Sequence, residues 1–249
     1  MDDLQLLVDL HRGEKRQGPG GDAETRQAME LAGLDRSIPL KIVDIGCGTG
    51  ASSLFLAQEL QAKITAADLF PDFLQELEER SQALGVSEKI ETLSCSMEAL
   101  PFGEGEYDVI WSEGAIYNMG FKRGVENWKR FLRSGGVLAV SELTFFTSDR
   151  PSEVEAYWNR EYPEADTASS KIAVLEESGF SLTAYFILPM HCWVENYYEP
   201  LQERFDKFLA EQNQSEAARA LVQAERQEMD FYKRWHIYYG YGFYIAKKI

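Results

Sequence analysis

Residues 43–50, Val43-Asp44-Ile45-Gly46-Cys47-Gly48-Thr49-Gly50 ("VDIGCGTG"), close a short apolar run, "LKIVDI" (40–45), and open a helix-like segment. Glycine at 46, 48 and 50 lets the backbone turn sharply and approach a ligand without Cβ interference. Open parallel sheets bind ligands at the carboxyl ends of their strands, where such a turn sits. Asp68 stands 18 residues beyond Gly50, at the end of the next apolar run, placed to accept hydrogen bonds from ribose hydroxyls. The spacing is GxGxG, not the GxGxxG of the dinucleotide fingerprint. Asp44 also sets an anion beside the helix N-terminus, which suits a ligand carrying an ammonium or sulfonium cation better than a pyrophosphate.

Working outward, strands are expected at 40–45, 63–68, 89–94, 107–111 and 136–142, with amphipathic helices between them. One helix covers 71–85, with Pro71 in its first turn and Gly85 at its end. This alternation predicts right-handed crossovers and a parallel sheet covered on both faces. Past residue 150 the pattern gives a Trp/Tyr-rich helix, a helix ending at Gly179 and a strand at 182–188. Two long helices across 194–236 and a final strand at 240–248 follow. Upstream, Leu4, Leu7, Val8 and His11 share a helical face, and "RQGPGG" (16–21) breaks the chain. Asp22 is expected to cap a second helix that turns Ala28, Met29 and Leu31 inward.

The fold expected is thus α/β, a Rossmann-like three-layer sandwich on a mostly parallel seven-stranded sheet with an antiparallel last strand. The whole chain, 1–249, reads as one domain. Residues 1–36 form an N-terminal helical flap and 37–146 the ligand-binding core. Residues 147–249 supply a C-terminal helical insertion and the last two strands.

With 45% hydrophobic residues in 249, the chain can fill one sizeable core. No apolar run reaches the roughly 18 residues of a spanning helix, and a cytoplasmic protein without membrane contact is expected. Cys47, Cys95 and Cys192 show no CxxC pairing, and His11, His191 and His236 are scattered, so the spacing offers no metal site. The formal charge of −16 repels a phosphate backbone, which argues against nucleic acid. These readings leave an organic cofactor, a small-molecule partner, and a monomer or homodimer.

Five segments, taken in order, resemble the class I S-adenosylmethionine-dependent methyltransferases, and within them the small-molecule enzymes of ubiquinone and menaquinone biosynthesis. They are "VDIGCGTG", "AADLF" (66–70), "CSMEALPF" (95–102), "YDVIWSEGAIYN" (107–118) and "FLRSGGVLAVSE" (131–142). Ser96 stands where the family commonly has an acid, and Ser134 where it commonly has proline. The resemblance implies S-adenosylmethionine as cofactor. It places the methionine part at Gly46, Cys47, Gly48 and Gly50, with Asp44 near its amino group. Asp68 would take the ribose, Leu69 and Phe70 would wall the adenine, and Ser96, Met97 and Glu98 would form the adenine turn. Cys47 reads as a small filler between glycines, not a nucleophile.

Methyl transfer is an in-line displacement that needs alignment first, and a base only where the acceptor has a proton to lose. Glu113 leaves the fourth strand where cofactor and acceptor should meet, as a base, a cofactor contact or a local helix start. Tyr117 is expected one helical turn further on, as an acceptor contact or a core residue. His191, after "FILPM", is a third catalytic candidate. Arg16 and Gly18 lie where a flap would hinge over the cofactor, with Arg16 either meeting its carboxylate or lying in solvent. Two other functions stay open: a nicotinamide-dependent oxidoreductase, and an S-adenosylmethionine-binding protein without turnover.

Overall fold

A computed structural model describes residues 3–249. A single sheet runs in the order β3-β2-β1-β4-β5-β8-β7, where β1 is Leu40–Ile45, β2 Ala62–Asp68, β3 Ile90–Ser94, β4 Tyr107–Glu113, β5 Leu132–Phe145, β7 Phe180–Ile187 and β8 Tyr239–Lys248. The first five strands pair parallel, and β8 lies antiparallel to both β5 and β7. All seven expected strands are present. An eighth, β6 (Asp166–Thr167), makes a two-residue pairing with the end of β5 that is too short to leave a periodic signal.

The central strand β1 buries Ile42, Val43 and Ile45 completely, as a strand covered on both faces must. Helices packed about the sheet include α3 (Ala51–Glu59) and α4 (Pro71–Ala83), which meet β2, and α5 (Phe121–Trp128), whose Phe121, Val125 and Trp128 share a buried cluster with Val43 and Ile45. Pro71 opens α4, and Gly85, at a φ of 69°, follows its end. Thr167 caps α7 (Ala168–Glu177) by accepting from the Ser170 amide.

Upstream of the sheet lie α1 (Asp3–His11) and α2 (Asp22–Leu31). Gly21, not Asp22, occupies the cap position of α2, because the Asp22 carboxylate is drawn off to Lys15 and Arg16. Ala28 and Met29 are buried as expected, whereas Leu4 and Leu31 are exposed. Arg204 donates to the carbonyls of Leu10 and Asp9, tying the C-terminal end of α1 to the far end of the chain.

After β7, one long helical run spans α8 (Met190–Trp193), a π-helical turn (Val194–Tyr198) and α9 (Glu199–Glu211). Pro200 has no N–H to continue the α-helical ladder, and the turn before it widens to accommodate that loss. The widening presents Tyr197 and Tyr198 inward, both buried. Ser215 then caps α10 (Glu216–Trp235), whose amide partner is Ala218. Between β5 and β7, α6 (Ser152–Glu161) packs its Tyr157 ring flat on Phe231 of α10 at 4.0 Å.

Candidate active site

The glycine turn follows β1 directly. Gly46, Gly48 and Gly50 have φ of 72°, 54° and 86°, a region that favours glycine. A Cβ on Gly46 would come within 2.4 Å of Ala115 Cβ, so the loop after β4 rests directly on the turn. Asp68 organises the turn from the end of β2: its Oδ2 accepts from the Gly48 amide at 2.8 Å and its Oδ1 from the Phe70 amide at 3.0 Å. A carboxylate has about four acceptor sites, so lone pairs remain for a ligand diol. Burial raises the Asp68 pKa, and these amides pull it back.

Asp44 and Gly50 depart from the expected contacts. Neither lines the cavity beside the turn. Asp44 is fully buried, and its Oδ2 accepts from both Ser52 and Ser53 hydroxyls at the start of α3. Its Oδ1 has no hydrogen-bond partner, and burial raises its pKa to about 7. Gly50 instead faces Leu77, whose Cδ1 lies 2.1 Å from where a Cβ would be. Cys47 does line the cavity; burial pushes its thiol well up, which removes it as a nucleophile.

That cavity holds about 600 Å³, within the range of roughly 300–1,000 Å³ that suits a small-molecule ligand. Asp68, Leu69, Phe70, Ser96, Met97 and Glu98 line one end. Trp128 Nε1 donates to the Met97 carbonyl at 3.2 Å and fixes the turn of 95–98. Glu98 points its carboxylate to Arg123 at 2.8 Å, both half-exposed.

Over the turn lie Arg16, Gln17 and Gly18. Gln17 Oε1 accepts from the Thr49 amide at 2.8 Å, and its Nε2 donates back to the His11 and Glu14 carbonyls. Arg16 is only 8% exposed, so it is not a solvated joint. Its Nη1 meets Glu113 Oε2 at 2.9 Å, and its Nη2 meets Asp22 at 3.1 Å. Burial works against that charge, but Glu113 and Asp22 overcome it and raise the guanidinium pKa.

Glu113 ends β4 and does not begin a helix, because Gly114 turns the chain at a φ of 62° and only a short 3-10 turn (Ile116–Asn118) follows. Its Oε1 accepts from Thr25 Oγ1 at 2.8 Å and Trp111 Nε1 at 2.9 Å. With Arg16 on Oε2, both carboxylate oxygens are engaged, and two of the three partners belong to the upstream segment.

At the other end of the cavity Tyr117 is joined by His11, Tyr197, Glu225 and Glu228. Tyr117 is 40% exposed, and desolvation of its phenol on the cavity side raises its pKa above the ordinary value, so it offers a hydrogen bond and not a phenolate. Glu225 and Glu228 escaped the sequence reading. A signal existed: they fall at three- and four-residue steps between Val222 and Tyr232, both buried, so acids interrupt the apolar stripe of α10.

His191 lies outside this lining, its Nε2 3.1 Å from Glu24 Oε1. Glu24, His191 and Cys192 bring their ligand atoms within 4.8 Å of one another, a grouping that sequence separation hides. Of the other aromatic residues after β5 and β7, Tyr157, Trp158, Tyr162, Trp193 and Tyr198 also lie outside the lining; Tyr239, Tyr241 and Tyr244 are buried in β8.

A family profile described as "Methyltransferase domain" matches residues 42–136, from β1 into β5. Over these residues the chain is similar to methyltransferase domains. The sarcosine/dimethylglycine N-methyltransferase of Aphanothece halophytica is 30% identical over 133 residues, which cover 51% of this chain and 48% of that protein. Phosphoethanolamine N-methyltransferase 1 of Triticum aestivum is 24% identical over 68% of this chain and 33% of its own length. The chain spans about half the length of the first curated relatives it matches. In fold it resembles an S-adenosylmethionine-dependent methyltransferase of Geobacter sulfurreducens in complex with S-adenosyl-L-homocysteine. The TM-score is 0.84 at 15% identity, over 98% of both chains. Among the described residues, no helix is long and apolar enough to cross a membrane.

Proposed function

We propose that the chain transfers a methyl group from S-adenosylmethionine to a small molecule. The observation that carries this reading is one continuous cavity, joining the Gly46–Gly48 turn and Asp68 to a separate end walled by Tyr117 and Tyr197. The residues fit the cofactor. Asp68 keeps acceptor capacity for a ribose diol, the glycine turn admits close approach, and Leu69, Phe70 and Met97 offer apolar faces to a purine. Asp44 acts from behind the turn, through the serines of α3, as a buried acid near a cationic ligand. Bound there, S-adenosylmethionine supplies an electrophilic methyl on a sulfonium sulfur.

The protein's contribution is alignment and exclusion of water. Holding the reacting atoms as a near-attack pair is worth up to ~7–11 kcal/mol in favourable systems. Gln17 and Arg16 close the upstream segment over the turn, and Glu113 latches it by accepting from Arg16, Thr25 and Trp111. We therefore assign Glu113 a positioning role. A nicotinamide-dependent oxidoreductase loses ground to the GxGxG spacing and the methyltransferase match. The relatives named above act, by their names, on nitrogen acceptors, which favours nitrogen here over carbon or oxygen.

Calorimetric titration with S-adenosylhomocysteine and with NAD tests the cofactor, and transfer from labelled S-adenosylmethionine to a metabolite panel tests the reaction. Binding of S-adenosylhomocysteine without NAD, together with labelled product, is expected. Tight cofactor binding with no transfer to any acceptor would leave a non-catalytic binding protein. Glu113→Gln should raise proteolytic cleavage within 12–21 in the ligand-free protein; an unchanged cleavage pattern would remove the latch.

A further inference from the structure

The end of the cavity beyond Tyr117 is rich in hydrogen-bond acceptors and poor in cations. Glu225 and Glu228 stand one turn apart on α10 and both line it. Glu225 Oε2 is buried without a hydrogen-bond partner, and its Oε1 lies 3.7 Å from His11 Nε2. Glu228 Oε1 accepts from the Tyr198 hydroxyl at 2.9 Å. His11, 5% exposed, also lines the cavity and leaves its Nδ1 buried with no partner. With Nε2 carrying the proton toward Glu225, Nδ1 is an acceptor.

Among the described residues no lysine lines the cavity, and its one arginine, Arg16, is committed to Glu113 and Asp22. An acceptor bearing a carboxylate or phosphate would find no free counter-ion there, and would face two carboxylates instead. A cation finds the reverse: acceptor atoms on two helices, and the rings of Tyr117 and Tyr197, whose faces attract positive charge.

We infer that the methyl acceptor is an amine without an acidic group of its own, held as its ammonium by Glu225, Glu228 and His11. This rests on the methyl-transfer reading above. The ammonium gives one proton to the Glu228 carboxylate. The freed nitrogen lone pair then forms the C–N bond as the C–S bond breaks, its electron pair passing to sulfur and leaving S-adenosylhomocysteine. Burial, with Glu225 beside it, raises the Glu228 pKa to about 7, which brings it into range for such an exchange near neutral pH.

The test is calorimetric binding at pH 8 to the full chain saturated with S-adenosylhomocysteine. The probes are benzylamine, phenethylamine and N-methylphenethylamine, set against 2-phenylethanol, 3-phenylpropionate, sarcosine and phosphoethanolamine. At least one amine should bind tenfold or more tightly than the alcohol, and the three acids should bind most weakly. Glu225→Gln and Glu228→Gln, each verified by melting temperature, should cut the amine preference at least fivefold while S-adenosylhomocysteine affinity stays within threefold. Equal or tighter binding of the alcohol or an acid, no binding by any amine, or a preference that survives both substitutions would overturn the amine assignment. Failure of S-adenosylhomocysteine to bind would instead overturn the methyl-transfer reading beneath it.

Discussion

At the glycine-turn end of the cavity the floor is built from residues between 46 and 98, mostly strand ends and turns, with only residues 16–19 laid over it from upstream. At the far end, His11, Tyr117, Tyr197, Glu225 and Glu228 come from four segments spread over most of the chain. The first end is fixed by sheet hydrogen bonds, with Asp68 holding Gly48 and Phe70 in the same network. The second is fixed by helices packing against one another and against α1, with Arg204 reaching back to Leu10. Chemistry that any such protein must share can sit on the sheet, whereas chemistry specific to one acceptor can sit on helices and change without disturbing the sheet.

The largest expected effect probes what supports the far end. Lys171 Nζ lies 3.3 Å from Glu142 Oε1, both buried, and stands over the ring of Tyr162, which packs edge-on against Tyr117. Removing one partner of a buried pair leaves a bare charge, so Lys171→Ala should cost ~3–5 kcal/mol of stability, read by urea unfolding. S-adenosylhomocysteine affinity of the folded fraction should stay within threefold; a parallel loss would mean the two ends are one unit.

Asp68→Ala attacks the other end. It removes a carboxylate that holds two amides and is proposed to take the ribose diol. Hydrogen bonds to a charged group are worth ~1.5–3 kcal/mol each, so S-adenosylhomocysteine affinity should fall about a hundredfold. Amine binding, measured without cofactor, should change little. A loss of less than tenfold in cofactor affinity would take the ribose role away from Asp68.

How much the sequence disclosed follows the same division. The seven strands, the turn and Asp68 were legible because strand, turn and helix succeed one another within a few residues, and each leaves a periodic or compositional mark. Glu225 and Glu228 were hidden because "AERQEMD" (224–230) resembles a solvated helix face; only the buried residues around it show that it faces inward. Glu113 does end β4 and line the cavity, but its bonds to Arg16 and Thr25 span 97 and 88 residues, a pairing that spacing cannot reveal. Asp44 was expected to line the ligand cavity and is instead fully buried outside its lining, since strand alternation alone does not tell which face of β1 opens on the cavity.

A smaller effect separates the ends by pH. Glu228 has a folded pKa of about 7 against an ordinary value near 4.5, so the folded state binds its proton more tightly. Stability from this group is full below about pH 4.5, declines as pH rises toward 7, and is lost above it. The titratable groups around it are Glu225 on the same helix, Tyr197 and Tyr198 on the π turn, Glu161 and Tyr157 on α6, Tyr117 on the 3-10 turn after β4, and Tyr239 and Tyr241 on β8, with His11 on α1 reaching Glu225. Glu228→Gln should therefore stabilise the ligand-free protein by about 1–3 kcal/mol at pH 8 and flatten the stability profile between pH 5 and 7. An unchanged profile in urea unfolding would mean that Glu228 titrates normally.

The smallest effect is expected at Glu98, which lines the same end of the cavity as Asp68 yet differs from it in exposure and in what it binds. Asp68 is 9% exposed, while the Glu98 and Arg123 side chains are 47% and 59% exposed. An ion pair this open is worth ~0–1 kcal/mol, and water can replace Arg123 at no great loss. The Glu98 amide bonds to Ser96 Oγ at 3.2 Å through the backbone, so Ala can keep the turn. Glu98→Ala should thus shift S-adenosylhomocysteine affinity by less than threefold, by calorimetric titration. A larger loss would show that the Glu98 side chain leaves Arg123 for the ligand on binding, making the cofactor end partly induced instead of wholly built in.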